Sequence, residues 1–279
     1  MAKEENFVRV DGLRIRYFEH GSGPAALLLH GASLGSSADV WADNLPALAA
    51  HRLRVIAFDQ PGFGLSDDPE DHSVAYRTRF VLALMDAMRI EQAHLVGHSQ
   101  SGRIAVNLAF DQPRRVLKIV VVGTGSLLPP LPPGGTKSDS GEGEEGGTRE
   151  PTLEETRRSL EDNLFNHALI TPAVLQTRHR MSTGTNFRAF LARRQARGGE
   201  KKKEPAPLWQ RLAEVPAPLR MIYGRQDRGA AAERAALARR LYPAIDLHLI
   251  DGCKHLVQWD AAAEFAALSG SFCAAAVAG

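Results

Sequence analysis

The stretch Ala93-His94-Leu95-Val96-Gly97-His98-Ser99-Gln100-Ser101-Gly102 decides the fold. A short apolar run ends there in a Gly-x-Ser-x-small turn, and residues 103–110 continue in a helix-compatible pattern. This order is typical of a nucleophile elbow, a tight strand-to-helix turn that raises a serine above a parallel sheet. The turn strains the serine backbone, so its neighbours must be small, as Gly97 and Ser101 are. We expect Ser99 to be a nucleophile, and the alternative is an ordinary Gly/Ser turn without chemistry.

Apolar runs on both sides of this turn predict the other strands of the sheet. In chain order they are residues 25–29, 54–59, 115–122, 219–224 and 245–250. Residues 7–10 and 13–19, joined by Asp11-Gly12, predict a hairpin that adds an antiparallel start to the sheet. Helices are predicted over 41–50 and 73–89. The fold class is therefore α/β, with a mostly parallel central sheet flanked by helices.

The sheet pattern pauses over residues 125–216, which differ in composition. Residues 127–150 are rich in Pro, Gly and Glu and predict a flexible loop, because they have too little apolar surface to order themselves. From Thr152 to about Leu191 the pattern is helical, with Thr152 as its N-cap. We expect a core formed by 1–124 and 217–279, with a helical cap inserted over the active site after the sixth strand.

The composition predicts a small-molecule substrate. A formal net charge of +2 over 279 residues gives no reason to expect nucleic acid or an anionic membrane as a partner. No apolar run reaches membrane-spanning length, and the N-terminus has no signal-peptide core. Two cysteines make no disulfide framework, so we expect a cytoplasmic location. No cofactor or metal is expected, because His, Cys and carboxylates do not cluster at ligand spacing.

An acid and a base follow two of the later strands. Asp227 comes after the strand at 219–224, and His255 comes after the one at 245–250. The order Ser99, Asp227, His255 resembles that of the α/β-hydrolase fold, and the resemblance runs from the hairpin to the C-terminus. It implies a catalytic triad in which His255 is the base and Asp227 orients it. Asp251 and Asp260 also flank His255, but neither lies where that fold places its acid.

Two backbone amides are the expected oxyanion donors. The residue after the nucleophile, Gln100, supplies one N–H group, and the resemblance implies that Ala32, after His30-Gly31, supplies the other. Because the main-chain N–H groups are the donors, the glutamine and alanine side chains at these positions are compatible with this role. Removing one such donor commonly costs about 3–4 kcal/mol of transition-state stabilisation.

Three segments carry a narrower resemblance, to meta-cleavage product hydrolases. They are His255-Leu256-Val257-Gln258-Trp259-Asp260, Gly224-Arg225-Gln226-Asp227-Arg228 and the segment 169–178. Those enzymes break a carbon–carbon bond in vinylogous diketone acids formed by aromatic ring opening. The resemblance implies that Arg178 binds the substrate carboxylate. The alternative is a solvent-facing helix arginine.

The chain also departs from that family at three places. His98 replaces an asparagine before the nucleophile, and Leu256 replaces a tryptophan after the catalytic histidine. The family's His-Gly-Gly-Gly-Pro-Gly type of loop is replaced by His30-Gly31-Ala32-Ser33-Leu34-Gly35. We include His98, Leu256 and Gly31 with Arg178 among the expected substrate-binding residues. His98 either donates a hydrogen bond to a substrate oxygen or is a structural neighbour of the nucleophile.

Three functions follow from these observations. The first is a serine hydrolase that cleaves a C–C bond in a ketonic acid from aromatic-compound catabolism. The second is a carboxylesterase, lactonase or thioesterase that forms an acyl-enzyme, which needs only the triad and the oxyanion donors. The third is a non-catalytic ligand-binding protein, against which the complete triad argues. The resemblance also implies a homodimer or larger homo-oligomer.

Overall fold

The computed structural model describes residues 4–132, 147–199 and 206–276, and these contain one eight-stranded sheet. Its strands are β1 (Asn6–Val10), β2 (Leu13–His20), β3 (Ala25–Leu29), β4 (Arg54–Phe58), β5 (Ala93–His98), β6 (Val116–Val122), β7 (Leu219–Gly224) and β8 (Asp246–Ile250). Their order is β1-β2-β4-β3-β5-β6-β7-β8. Strand β2 is antiparallel to both of its neighbours, β1 and β4. All the other neighbouring pairs, from β4 to β8 in the sheet order, are parallel. The predicted hairpin and the five predicted strands are confirmed.

Helices cover both faces of this sheet. Those of the core are α1 (Leu45–Ala49), α2 (Val74–Ala87), α3 (Gln100–Asp111), α7 (Ala231–Leu241), α8 (Val257–Asp260) and α9 (Ala262–Ala274). The helix predicted over 41–50 is wrong as one element. A 3-10 turn ends at Trp41 and α1 begins only at Leu45, because Pro46 favours the first turn of a new helix.

The central strands are buried on both sides, as parallel strands between helical layers must be. Every residue of β3 and of β5 is buried. Along β6, Ile119 and Val121 join the apolar cluster on one face, whereas Val120 and Val122 join the cluster on the other. This rigid centre carries the elbow at the end of β5.

Residues 125–216, between β6 and β7, are called the inserted segment. Its helices are α4 (Leu153–Asn163), α5 (Pro172–Arg180) and α6 (Thr185–Gly199). The predicted N-cap is confirmed, since the Thr152 side chain accepts from the Glu155 amide and the Glu155 carboxylate accepts from the Thr152 amide. Most of the predicted flexible loop, 133–146, lies outside the described residues.

The inserted segment contacts the core in two ways. Its residues Leu160, Leu164, Ile170 and Leu175 extend the apolar cluster on one face of the sheet. Helix α6 instead uses polar groups, because Asn186 Nδ2 donates to the Gly64 carbonyl and Arg193 Nη1 donates to the Gly62 carbonyl at 2.8 Å. Across the described ranges, no helix has both the length and the apolar character to cross a membrane.

Candidate active site

Ser99 occupies a strained turn between β5 and α3. Its backbone angles are φ 54° and ψ −125°, a conformation that non-glycine residues rarely adopt. The Ser99 amide donates to the Val122 carbonyl at 2.7 Å, which fixes the turn against β6. A Cβ atom on Gly97 would lie 2.5 Å from the Ser101 carbonyl oxygen, and one on Gly102 would collide with the Thr124 hydroxyl. The elbow therefore requires both glycines.

The three predicted triad residues lie around one cavity. His255 Nδ1 is 3.0 Å from Asp227 Oδ2 and 3.2 Å from Oδ1. Because the carboxylate accepts, Nδ1 carries the proton and Nε2 is left as a base. Ser99, Asp227 and His255 line this cavity of about 30 Å³. Ser99 Oγ makes no hydrogen bond to a described residue, and catalytic hydrogen bonds are often loose in the unliganded state.

The two other acids near His255 have different partners. Asp251 accepts from the Gln226 side-chain amide at 2.6 Å and lies on the surface. Asp260 accepts from the backbone amides of Phe165, Asn166 and Lys254. Asp227 is thus the carboxylate that reaches the His255 ring among the described residues.

The predicted oxyanion donors belong to a loop and a helix on either side of Ser99. A Cβ atom on Gly31 would lie 3.3 Å from Ser99 Cβ, so the loop after β3 approaches the nucleophile closely. Gln100 begins α3, where backbone N–H groups favour negative charge. The amides of Ala32 and Gln100 donate to no atom of the described chain. The Gln100 side chain faces away, because its Oε1 accepts from buried Arg77.

His98 is a buried neighbour of the predicted base. Its Nε2 lies 3.0 Å from the His255 carbonyl, and the two rings are 4.8 Å apart. Since a carbonyl only accepts, Nε2 carries the proton. Burial holds the pKa of His98 well below its usual range, so the ring is neutral and Nδ1 is an acceptor. The Nε2–H group thus already donates to the His255 carbonyl, which favours the structural role for His98 over donation to a substrate oxygen.

Arg178 lies inside the site without an anionic partner. Its Nη2 donates to Ser33 Oγ at 3.0 Å, and no carboxylate of the described chain pairs with it. It lines a second cavity, of about 10 Å³, together with Gly31, His98, His255 and Leu256. Burial lowers the pKa of Arg178 to about 10. A desolvated guanidinium of this kind would gain from an anionic ligand.

Two further arginines, Arg77 and Arg193, were not predicted from the sequence to lie near the site. Arg193 lies 3.7 Å from the centre of the Phe63 ring and Arg77 lies 5.8 Å from it, while His30 meets the same ring edge-on. Both arginines are buried. No spacing rule joins helix α2 to helix α6 across more than a hundred residues, so this cluster is visible only in three dimensions.

A larger cavity, of about 360 Å³, lies against α4 and not at Ser99. Arg149, Glu155 and Arg158 are among the residues that line it. Ser159 borders both this cavity and the one that contains Arg178. The two spaces are therefore neighbours on one side of the inserted segment.

Comparison with known proteins places this geometry among hydrolases. The family profile described as the alpha/beta hydrolase fold matches residues 24–262. The chain is 31% identical to a 2-hydroxy-6-oxo-6-phenylhexa-2,4-dienoate hydrolase of Burkholderia cepacia, with 95% of this chain and 93% of that protein covered. It is 32% identical to a 2-hydroxy-6-oxononadienedioate/2-hydroxy-6-oxononatrienedioate hydrolase of Burkholderia vietnamiensis, over 91% of this chain and 88% of the relative.

A solved structure agrees with these relatives. The meta-cleavage product hydrolase of Pseudomonas fluorescens IP01, as a serine-to-alanine mutant complexed with acetates, superposes with a TM-score of 0.75. The two chains are 25% identical, and the superposition covers 96% of each. The similarity thus includes the inserted segment as well as the sheet.

Proposed function

The chain belongs to the α/β-hydrolase family, and from that premise we propose that it is a serine hydrolase that cleaves a C–C bond in a ketonic acid from aromatic ring fission. The relatives named above are hydrolases of 2-hydroxy-6-oxo dienoic acids. Ser99, His255 and Asp227 are the proposed triad. Ala32 and Gln100 are the proposed oxyanion donors.

One observation carries the choice of substrate. Arg178 is a guanidinium without a carboxylate partner in the described chain, in a cavity that it shares with His255. We propose that the substrate carboxylate binds there and so replaces the missing anion. A simple ester offers this arginine nothing, whereas a 2-hydroxy-6-oxo acid places its carboxylate several carbon atoms from the carbonyl that is attacked.

The proposed mechanism gives each of these groups a role. Arg178 holds the carboxylate while the dienol loses the proton of its hydroxyl group and takes up a proton on carbon, which converts it to the ketone. His255 Nε2 then removes a proton from Ser99, or from a water molecule, and the freed oxygen attacks the remote carbonyl. The amides of Ala32 and Gln100 stabilise the oxyanion. The C–C bond breaks, its electron pair leaves with the carbon next to the ketone, and His255 returns its proton to the leaving fragment. If Ser99 attacked, a water molecule then gives a proton to His255 and attacks the acyl-enzyme, and that proton passes to Ser99 as the acid product leaves. If water attacked, the acid product is already complete.

Binding requires more space than the site now offers. The two cavities at Ser99 and Arg178 have volumes of about 30 and 10 Å³, whereas small-molecule sites usually measure about 300–1,000 Å³. We propose that α5 and α6 of the inserted segment, acting as a helical cap, move away from the loop 59–67 when substrate enters. The neighbouring cavity of about 360 Å³, which Ser159 also borders, offers additional space beside the site.

A paired spectrophotometric assay tests the proposal. One arm follows the loss of dienol absorbance of a 2-hydroxy-6-oxo acid, and the other follows a panel of nitrophenyl esters. We expect the dienol acid to be consumed much faster than the esters, and Ser99→Ala to abolish turnover while the fold is kept. Fast ester cleavage with an untouched dienol acid would instead favour an esterase, lactonase or thioesterase.

Location and assembly complete the proposal. Cys253 and Cys273 are both free and buried, which fits a reducing cytoplasm better than an oxidising compartment. The family resemblance favours a homodimer or larger homo-oligomer. Light scattering on the purified chain would measure its mass in solution, and a monomer would contradict this part.

A further inference from the structure

A buried hydroxyl lies at the elbow position where glycine is usual. Ser101 is completely buried in the first turn of α3, directly after Gln100. Its Oγ donates to the His30 carbonyl at 2.6 Å and accepts from Gln60 Nε2 at 3.1 Å. The hydroxyl therefore joins helix α3 to the loop after β3. A glycine here could make neither bond.

The same loop is held by a fixed histidine. His30 Nδ1 is 2.7 Å from the Gly31 carbonyl, and His30 Nε2 is 3.0 Å from the Gln60 amide nitrogen. The carbonyl can only accept and the amide can only donate, so Nδ1 carries the proton. Burial lowers the pKa of His30 to about 3, and the neutral ring keeps this arrangement.

These bonds set the direction of one amide. The peptide group between Gly31 and Ala32 is trans, so its N–H points opposite to its carbonyl. Because His30 holds that carbonyl, the Ala32 N–H is directed away from the His30 ring. Gly31 lies beside Ser99, as its close approach to Ser99 Cβ shows.

We propose that Ser101 is a positioning residue that sets the distance between the two oxyanion donors, the amides of Ala32 and Gln100. The inference rests on the proposed function, since it takes these amides to be the donors. Gln100 precedes Ser101 on α3, and Ala32 lies two residues beyond His30, so the bond from Ser101 to His30 links the two donor segments. An oxyanion needs both donors within about 3 Å of one point. Loss of this link lets the loop shift and slows every reaction that passes through that oxyanion.

Labelling with a fluorophosphonate tests this without knowledge of the substrate. Ser99 Oγ gives its proton to His255 Nε2 and attacks phosphorus, fluoride leaves, and the phosphoryl oxygen occupies the oxyanion site. The rate would be followed by intact mass for wild type, Ser101→Ala, Ser101→Gly and Ser99→Ala. Ser269→Ala is the matched control, because Ser269 is equally buried in α9 and its hydroxyl has no hydrogen-bond partner in the described structure. Thermal unfolding would confirm that each variant is folded at the labelling temperature.

We expect both Ser101 variants to label about tenfold to a hundredfold more slowly, with an unchanged pH midpoint of labelling. Ser269→Ala should label at the wild-type rate and Ser99→Ala not at all. Wild-type rates for both Ser101 variants would overturn the inference and leave the proposed function intact. A slow Ala variant beside a normal Gly variant would also overturn it, because side-chain volume and not the hydroxyl would then matter. Failure of wild type to label at Ser99 would instead contradict the proposed nucleophile, and the inference with it.

If the Ala and Gly variants do not fold, Ser101→Cys provides the same test. It keeps the shape of the side chain but replaces the hydroxyl that donates to the His30 carbonyl with a thiol, which is a weak donor. Slower labelling with an unchanged pH midpoint would support the inference, and a wild-type rate would overturn it.

Discussion

The elbow and helix α6 are held in place in different ways. The elbow continues a fully buried strand, and its glycines are required by contacts with neighbouring backbone and with Thr124. Helix α6 contacts the core through the bonds from Asn186 and Arg193 to backbone carbonyls of one loop. Its aromatic residues Phe187 and Phe190 stack on each other and join neither core cluster.

This difference suggests that the core and the inserted segment have separate roles in the reaction. A rigid, apolar setting keeps catalytic groups in place for chemistry common to many substrates. Polar attachments between packed elements open at a lower free energy than a buried strand. The core would then determine the reaction, and the inserted segment would determine which molecule undergoes it.

The largest expected effect tests the core side of this comparison. Asp227→Asn should lower kcat about ten-thousandfold for dienol acid and ester alike, because an amide no longer selects the His255 tautomer with a free Nε2. Steady-state kinetics on both substrates would measure it. Asp251→Asn is the control and should retain wild-type kcat. A loss for only one substrate class would refute the idea that the core serves every substrate.

The next effect tests the inserted segment. Arg178→Met should lower kcat/KM for a 2-hydroxy-6-oxo acid by about a hundredfold to a thousandfold, because the carboxylate loses its charged partner. Turnover of a neutral nitrophenyl ester should change little. Arg180→Met, on the exposed side of the same helix, is the matched control. Equal losses for acid and ester would show that Arg178 supports the fold and does not select the substrate.

A smaller effect tests how α6 is attached. Arg193→Met removes the bond to the Gly62 carbonyl and the contact with Phe63, which together should stabilise the closed position by about 1–3 kcal/mol. Amide hydrogen exchange in α6 should then accelerate by roughly tenfold to a hundredfold, while exchange in β5 stays slow. Arg188→Met, exposed on the same helix, should not change it. Equal acceleration in β5 would mean that α6 and the core open together.

The smallest effect concerns the stability of the core itself. Burial, with a smaller contribution from Lys118, lowers the pKa of His94 in β5 to about 4. The unfolded chain therefore binds more protons between about pH 6.5 and 4, and stability falls as the pH drops through that range. His94→Leu should reduce the loss of unfolding free energy between pH 7 and 5 by about 1–2 kcal/mol, as measured by urea unfolding. A His94→Leu variant with the same pH dependence as wild type would contradict this account.

The fold was predictable because its signals are local. The central strands are short and predominantly apolar, and the elbow combines Gly97, Ser99 and Gly102 within six residues. The helix over 41–50 was mispredicted because Pro46 divides a segment whose apolar pattern looks continuous. Thr152 was readable as an N-cap because the helical pattern begins directly after it.

The predicted site was recoverable only in part. The sequence placed Asp227 and His255 after the correct strands, and the structure brings their side chains into contact. It left open whether Arg178 faces solvent, because helical periodicity does not say what a helix packs against. The contacts of Ser33 with Arg178 and of Ser101 with His30 join residues 145 and 71 positions apart, and no local pattern encodes them.

The arginines around the site also bear on how fast a substrate arrives. The chain as a whole carries a formal charge of only +2, but Arg77, Arg178 and Arg193 are all close enough to His30 to depress its pKa. Three positive charges are thus gathered near His30. An anion diffusing nearby is drawn towards them, so kcat/KM for a dicarboxylate should fall as ionic strength rises, while kcat stays constant. The reach of this attraction is one Debye length, about 10 Å at 0.1 M salt.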